Sequence, residues 1–228
     1  MSGEFDKFAK SYDHVLRESM PDGMAEDGYF ARYKVDLMAK RMRGRVVDTV
    51  LDFGCGIGRS LGFIRDAFPA ARITGFDESP QSIEVAKQAS DARLTSDWKA
   101  VSGEPFDCIF AANVFHHIAP GERAVWLERC GRALSARGRL FWFEHNPLNP
   151  VTRRVFERCP FDNGASMIAR GDALDLMKDA GLHAWRTGYT LFFPRPLALL
   201  RPLEPMLRHI PLGAQYYIEA GKRPEDPS

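Results

Sequence analysis

The hydrophobic positions of this chain are grouped around one short run, residues 46–53. The run is rich in β-branched side chains, which is typical of a strand buried on both faces of a sheet. From residue 60 to residue 68 the apolar positions change to helical spacing, with Leu61, Ile64 and Phe68 on one stripe. This order of strand, short turn and helix predicts the first half of a βαβ unit. The apolar residues of the run are Val46, Val47, Val50, Leu51 and Phe53.

The same alternation continues along most of the chain. Short apolar runs predict further strands at 71–77, 92–97, 106–111, 139–144, 183–193 and 215–220, and helical spacing marks 29–42, 79–89, 122–134 and 171–180. Strands that alternate with helices predict an α/β fold with a doubly wound, mainly parallel sheet and helices on both faces. No internal repeat or domain boundary is visible, so we predict a single domain over residues 1–228.

Three segments interrupt this alternation and divide the predicted domain. Residues 1–45 predict an N-terminal helical cap, and residues 46–145 form the predicted ligand-binding core. Residues 146–170 contain three prolines and mixed charge and show no obvious regular core element. Residues 194–214 contain five prolines among many leucines, so this second segment cannot form one regular helix. Long excursions beside strand ends often carry binding residues. We therefore predict that both segments are substrate-side insertions.

Three glycines follow the first predicted strand at alternate positions: Gly54, Gly56 and Gly58. Glycine permits a positive φ angle and lets a ligand touch the backbone without a Cβ in the way, while the N–H groups of the next helix face that ligand. A tight βα turn without a ligand is the alternative interpretation. Asp77 ends the second predicted strand about 20 residues later, where an acid binds ribose in βαβ units. The combination predicts a nucleoside-binding site.

The spacing of the glycines distinguishes between nucleotides. A dinucleotide site has the pattern G-x-G-x-x-G, whereas residues 54–58 are G-C-G-I-G and lie two positions after Asp52. This pattern resembles motif I of the class I S-adenosylmethionine-dependent methyltransferases, and Asp77 matches the acid of that family's motif II. The resemblance is best over residues 46–145. It implies S-adenosylmethionine as the cofactor and a Rossmann-like sheet of seven strands, of which the last is antiparallel.

The resemblance implies further cofactor-binding residues. Glu78 is expected beside the adenine and ribose, and Asp97 is expected to bind the adenine amino group, although an exposed turn aspartate is an equal alternative. Tyr12, in the pair Tyr12-Asp13, resembles the N-terminal segment that caps the cleft in many small-molecule methyltransferases. The full predicted cofactor set is Tyr12, Asp52, Gly54, Cys55, Gly56, Gly58, Asp77, Glu78, Asp97 and Asn113.

Histidines follow the fourth and fifth predicted strands. Methyl transfer is an in-line displacement in which positioning supplies much of the rate, and a base is needed only when the acceptor arrives protonated. His116 and His117 after one strand, and Glu144 and His145 after the next, offer such bases at the ligand-binding edge of the sheet. We name His116, His117 and His145 as catalytic candidates, with packing histidines as the alternative. One of the adjacent pair is expected to point inward and the other outward.

The composition excludes several classes of partner. Hydrophobic residues make up 45% of the 228 residues, charged residues 27%, and the formal net charge is +1; nucleic-acid binding usually shows a clear basic excess. The four cysteines form no C-x-x-C pair, and no acid–histidine spacing matches a known site, so we expect neither disulfides nor a metal. No apolar run could span a bilayer, and the N-terminus lacks a signal-peptide pattern. We therefore expect a cytoplasmic protein.

Together, these patterns predict an enzyme that methylates a small-molecule or lipid-like acceptor on oxygen, nitrogen or carbon. Two alternatives stay open: a non-catalytic S-adenosylmethionine-binding or regulatory member of the fold, and an NAD-dependent oxidoreductase, which should carry G-x-G-x-x-G. The leucines of residues 194–214 also allow two interpretations. They cover a sheet edge, or they form an arginine-bearing lid that makes peripheral contact with a membrane or a lipid-linked acceptor.

Overall fold

All seven predicted strands lie in one sheet of the computed structural model, which describes residues 28–223. The order across the sheet is β3-β2-β1-β4-β5-β7-β6. Neighbouring strands pair in parallel except that β7 is antiparallel to both β5 and β6. The predicted seven-stranded, Rossmann-like sheet with an antiparallel last strand is confirmed. The strands are β1 (Thr49–Phe53), β2 (Arg72–Phe76), β3 (Arg93–Thr95), β4 (Phe106–Ala112), β5 (Leu134–His145), β6 (Leu182–Thr190) and β7 (Gln215–Lys222).

Helices cover both faces of this sheet, as predicted. Successive side chains of a strand point to opposite faces, so Ile109 of β4 packs in one hydrophobic core and Phe110 in the other. The first core also contains side chains of α4 and α6, and the second contains side chains of α1 and α2. The helices are α1 (Tyr29–Met42), α2 (Leu61–Ala67), α3 (Pro80–Ala86), α4 (Arg123–Ala133), α5 (Pro150–Arg158), α6 (Arg170–Asp179) and α7 (Glu204–Leu207).

Two local predictions need correction. Val46 was expected in the first strand, but it is 80% exposed, and β1 begins at Thr49. Val46 precedes the part of the chain that pairs with β2 and β4, so no neighbouring strand covers it. Residues 146–170 were expected to lack a regular element, yet they contain α5. Asn149 caps this helix by accepting the N–H of Thr152 at 2.9 Å, and Pro150 occupies its first turn. Asparagine followed by proline is a helix-start signal.

The two insertions are joined where β5 ends and β7 begins. The side-chain amides of Asn146 and Asn149 donate to the carbonyl oxygens of Gly213 and Leu212 at 2.8 and 2.7 Å. Residues 195–207 form a kinked run of 3-10 turns followed by α7, so the predicted absence of one regular helix is confirmed. No helix within residues 28–223 combines the length and the apolar character that crossing a bilayer requires.

Candidate active site

A different physical reason explains the absence of a side chain at each of the three glycines in the turn after β1. A Cβ on Gly54 would lie 2.4 Å from the side chain of Val114, so close packing excludes one there. A Cβ on Gly58 would press on the Ala86 side chain of α3 at 3.2 Å. Gly56 has φ +52°, and no atom of residues 28–223 lies within 4 Å of where its Cβ would lie. Gly56 is therefore the position at which a ligand can approach the backbone.

Asp77 braces this turn from the end of β2. Its carboxylate accepts the backbone N–H of Gly56 at 2.8 Å through Oδ2 and the N–H of Ser79 at 2.9 Å through Oδ1. A carboxylate with two oxygens has about four acceptor positions, and hydroxyl groups are among the donors that it can accept. Glu78, the next residue, is exposed.

Asp52 is a buried acid whose carboxylate is not fully paired in the described part of the chain. Within residues 28–223 its Oδ2 atom has no hydrogen-bond partner, and the residue is 2% exposed. Burial and the neighbouring charge of Asp77 raise the pKa of Asp52 to about 8, against an opposing effect of Lys34. Burial in turn lowers the pKa of Lys34 to about 8. A buried carboxylate oxygen without a partner is costly, and a cationic group of a ligand would satisfy it.

The remaining predicted cofactor residues occupy distinct positions. Cys55 is buried, and burial raises the pKa of its thiol, so its side chain belongs to the core and only its backbone borders the turn. Asp97 is exposed and accepts the N–H of Lys99 at 2.9 Å, capping a 3-10 turn. Asn113 has φ +58° and accepts a hydrogen bond from Gln215 at 3.0 Å. Tyr12 lies outside the described residues.

The histidines meet one another at the carboxyl ends of β4 and β5. The ring centroids of His116 and His117 are 3.9 Å apart, and those of His116 and His145 are 5.1 Å apart. Nε2 of His116 lies 3.3 Å from Oδ1 of Asp162, and Nε2 of His117 lies 3.5 Å from the same oxygen. The expectation that one of the adjacent histidines points outward is therefore wrong, because both reach one carboxylate. We call His116, His117, His145, Glu144 and Asp162 the histidine cluster.

Glu144 anchors the cluster from β5. Its Oε2 atom lies 2.6 Å from Nδ1 of His116, and its Oε1 atom accepts the N–H of Phe115 at 2.9 Å and the indole N–H of Trp142 at 3.2 Å. The Glu144 and His116 side chains are each 1% exposed. This network fixes the His116 ring in position. It also gives the two neighbouring histidines a common, rigid support.

The electrostatic environments of the three histidines differ. Burial opposes a charge on His116, but Glu144 and Asp162 outweigh it and raise its pKa to about 9. Burial and the charge of His116 lower the pKa of His117 to about 3 and that of His145 to about 4. His117 and His145 therefore remain neutral imidazoles at pH 7.

Sequence reasoning missed Asp162. The residue lies in the 3-10 turn Pro160–Asp162, within an insertion for which no regular element was predicted. Its distance from the histidines along the chain, 46 residues from His116, leaves no local spacing signal. Only the folded arrangement of α5 and this turn brings its carboxylate to the cluster.

Comparisons with known proteins agree with this geometry. A family model described as a methyltransferase domain matches residues 51–140. The trans-aconitate 2-methyltransferase of Escherichia coli is 31% identical over 183 residues, which cover 75% of this chain and 71% of that enzyme. The chain is a class I S-adenosylmethionine-dependent methyltransferase. This family membership argues against an NAD-dependent oxidoreductase, the alternative that the glycine spacing already disfavoured.

Solved structures share the fold of the methyltransferase. A TehB-like S-adenosylmethionine-dependent methyltransferase from Corynebacterium glutamicum aligns with a TM-score of 0.63 and 21% identity, over 96% of this chain and 98% of that one. The magnesium protoporphyrin IX methyltransferase of Synechocystis, solved with bound S-adenosylmethionine, aligns with a TM-score of 0.61 and 17% identity, over 96% and 95%.

The glycine turn of the methyltransferase fits its cofactor, S-adenosylmethionine. The open position at Gly56 leaves room for close approach to the backbone. The Oδ2 atom of Asp52, which has no partner within residues 28–223, suits the ammonium group of the cofactor's amino acid end. Asp77 is a hydrogen-bond acceptor of the kind that ribose hydroxyls need. The chemistry of the donor set therefore matches the charge and the polarity of this molecule.

Proposed function

We propose that this methyltransferase methylates a small-molecule acceptor that binds beside the histidine cluster. The observation that carries the proposal is the proximity of the glycine turn, which is the cofactor side, to the histidine cluster, which is the acceptor side. Val114, which fills the space above Gly54 in the glycine turn, lies two residues before His116. The carboxyl ends of β1, β4 and β5 are neighbours in the sheet, and ligands of doubly wound sheets bind at this edge.

The residues then divide into two groups. Asp52, Asp77 and the backbone at Gly56 hold the cofactor, with Tyr12, Glu78, Asp97 and Asn113 as the further predicted contacts. When bound, S-adenosylmethionine supplies an activated methyl group. His116, His117 and His145 are the proposed catalytic residues. The neutral imidazoles of His117 and His145 can withdraw the proton that a neutral hydroxyl or an ammonium acceptor must lose, whereas His116, whose pKa is raised to about 9, is protonated at pH 7 and supplies positive charge beside them. Glu144 and Asp162 position these rings.

The comparisons support a small molecule rather than a macromolecule as the acceptor. The similar Escherichia coli enzyme is named for trans-aconitate, a small organic acid. The formal net charge of +1 offers no basic excess for nucleic acid. We propose that the acceptor binds between this edge of the sheet and the two insertions, residues 146–170 and 194–214.

The surface of the two insertions favours a lipid-like form of this acceptor. Of the twelve large apolar side chains that are exposed within residues 28–223, nine belong to these insertions. Exposed apolar patches mark ligand or membrane contacts, and arginines beside them can reach lipid phosphates. The nine are Leu148, Val151, Leu197, Leu199, Leu200, Leu203, Met206, Ile210 and Leu212; we call them the apolar face.

Basic residues are interleaved with the apolar face. Arg153 and Arg154 on α5 are exposed, and so is Arg195 in the second insertion. Glu204, the acid of the second insertion, is buried and accepts the backbone N–H groups of Leu191 and Phe192, so it offers no charge to the surface. Apolar groups beside exposed guanidinium groups suit an acceptor that is embedded in or linked to anionic lipid.

A methyl-incorporation experiment tests the proposal. Purified protein is incubated with S-adenosylmethionine labelled on its methyl group and with fractions of a bacterial extract, separated into water-soluble metabolites, lipids and macromolecules. Label in the lipid or small-molecule fractions is the expected result. Label confined to protein or nucleic acid would overturn the acceptor class. Tight binding of S-adenosylhomocysteine without label in any fraction would favour the non-catalytic, regulatory alternative.

A further inference from the structure

Three donor atoms of the histidine cluster converge on one point. One donor atom each of His116, His117 and Asp162 lies within 4.8 Å of the other two. Asp162 Oδ1 is 3.3 Å from the first nitrogen and 3.5 Å from the second. Two imidazole nitrogens and a carboxylate oxygen are typical ligands of first-row transition metals.

The two separations from Asp162 match those between ligands that share an ion. Zinc binds imidazole nitrogen and carboxylate oxygen at about 2.0–2.2 Å in tetrahedral geometry, which places neighbouring ligand atoms roughly 3.3–3.5 Å apart. Good N–H···O hydrogen bonds span about 2.7–3.2 Å. The separations from Asp162 to both histidines, 3.3 and 3.5 Å, are therefore long for hydrogen bonds and suitable for two edges of a coordination tetrahedron.

The surroundings of His116 also have the form of a metal site. Its Nδ1 atom lies 2.6 Å from Glu144 Oε2, which leaves Nε2 directed toward Asp162 and His117. Metal-binding histidines almost always donate their second ring N–H to such a carboxylate, which fixes the tautomer and the ring orientation. The His117 and Asp162 side chains are 18% and 10% exposed, so an ion can enter from that side.

We infer that His116, His117 and Asp162 form a binding site for a divalent transition-metal ion, with Zn²⁺ as the representative. The ion replaces the proton between His116 Nε2 and Asp162 Oδ1, and that proton leaves to solvent. Two nitrogen donors disfavour Mg²⁺ and Ca²⁺, which prefer oxygen ligands. Three protein ligands leave one tetrahedral position open, as in catalytic zinc sites.

The open position gives the ion a role in the reaction. With the ion bound, His116 and His117 are ligands and not bases, and His145 is the histidine of the cluster that can still accept a proton. An acceptor hydroxyl on the ion would lose its proton more easily, as metal-bound water does, and the acceptor oxygen would be held at a fixed point. This role rests on the proposed function, whereas ion binding itself does not. The two are therefore measured separately.

Cobalt absorption and zinc calorimetry test the site directly. Protein is stripped of metal with a chelator, desalted and titrated with Co²⁺, whose visible absorption reports tetrahedral coordination, and then with Zn²⁺ by calorimetry. We expect one ion per chain in the wild type. We expect Asp162→Asn and His117→Ala to weaken binding more than about 100-fold, beyond the 10–100-fold cost of losing an outer-shell partner. Glu144→Gln should weaken binding by about 10–100-fold.

Matched controls replace the same residue types elsewhere. Asp179→Asn and His183→Ala change exposed residues of α6 and β6 and should bind both ions as the wild type does. Binding of S-adenosylhomocysteine and the melting temperature show that each variant is folded. Equal ion affinity in the wild type, Asp162→Asn and His117→Ala would overturn the inference, as would absence of binding by the wild type. Failure of the proposed function would appear instead as ion binding without any methyl incorporation.

Discussion

Nε2 of His116 lies 3.3 Å from Oδ1 of Asp162, although the two residues are 46 positions apart in the chain. This contact joins the turn after β4 to the insertion that contains α5. The insertion therefore supplies a charged group to the same sheet edge at which the glycine turn ends. The cofactor side, formed by the glycine turn and Asp77, and the acceptor side, formed by the histidine cluster, are separate groups of residues. Substitutions can therefore test each side by itself.

Replacement of Asp77 tests the cofactor side. Asp77→Ala removes the predicted acceptor of the ribose hydroxyls and the brace on Gly56 N–H, which is 2.8 Å away. We expect S-adenosylhomocysteine binding to weaken by about 1.5–3 kcal/mol, the range for hydrogen bonds to a charged group. Calorimetry measures the change. Asp91→Ala, at an exposed position, is the control, and an equal effect of both variants would contradict the assignment.

A pair of glycine substitutions separates steric blocking from backbone strain. Gly56 and Gly44 both have positive φ, +52° and +78°, and neither has an atom near its missing Cβ. Valine at either position therefore costs about 1–3 kcal/mol of conformational strain. Only Gly56→Val should abolish S-adenosylhomocysteine binding, because only that side chain would occupy the cofactor's approach path. Wild-type affinity in Gly56→Val would remove the glycine turn from the site.

Asp52 makes the stability of the cofactor-free protein depend on pH. Its pKa is raised to about 8 in the folded state, whereas an aspartate in an unfolded chain titrates near 4. Between these values the unfolded chain has released a proton that the folded protein still holds, so the free energy of unfolding decreases as pH rises. The Asp52→Asn variant has no such proton to release, so its free energy of unfolding should not decrease in this way as pH rises.

Urea unfolding at pH 5 and pH 8 measures the effect of Asp52. We expect the free energy of unfolding of Asp52→Asn relative to the wild type to increase from pH 5 to pH 8, by up to about 1.4 kcal/mol per pH unit, because the variant has no buried carboxyl group to deprotonate. The same variant should bind S-adenosylhomocysteine more weakly. Asp48→Asn, at an exposed residue just before β1, should show neither effect. A gain that is the same at both pH values would contradict the assigned pKa.

Replacement of the histidines tests the acceptor side. Each of His116→Ala, His117→Ala and His145→Ala should leave S-adenosylhomocysteine affinity within a few-fold, because their contacts lie in the histidine cluster. For the residue that withdraws the acceptor's proton, we expect kcat to fall by about 10²–10⁴. His183→Ala on β6 is the control. If all three variants keep kcat within a few-fold, positioning alone accounts for the rate.

The apolar face is tested with vesicles. Leu199, Leu200 and Leu203 are 96%, 41% and 47% exposed, so their joint replacement by serine should leave the melting temperature nearly unchanged. We expect wild-type protein to sediment with phosphatidylglycerol vesicles more than with phosphatidylcholine vesicles, and the triple variant to lose this binding. Val46→Ser with Val125→Ser, two exposed valines elsewhere, is the control. If the wild-type protein binds neither kind of vesicle, the lipid-like acceptor is contradicted and a water-soluble acceptor is favoured.

Much of the sheet was predictable because it depends on local pattern. The apolar run that contains β1 and the segment Tyr29–Met42 carry their periods in the residues themselves, and the helix occupies the predicted range without change. The start of α3 was equally local, since Ser79 accepts the N–H of Ser82 ahead of Pro80. The single-domain organisation and the roles of the two insertions stay predictions.

What the sequence determined by itself was the order of strands and helices, the glycine turn with Asp77, and the cofactor that this spacing implies. These features depend on neighbours in the chain, because glycine geometry and hydrophobic periods act over a few residues. Only the tertiary structure decided that Asp162 joins His116 and His117, and that Oδ2 of Asp52 finds no partner among the residues that the structure describes. Such relationships arise from packing between distant segments, and the distance between two donor atoms is not encoded in any local spacing.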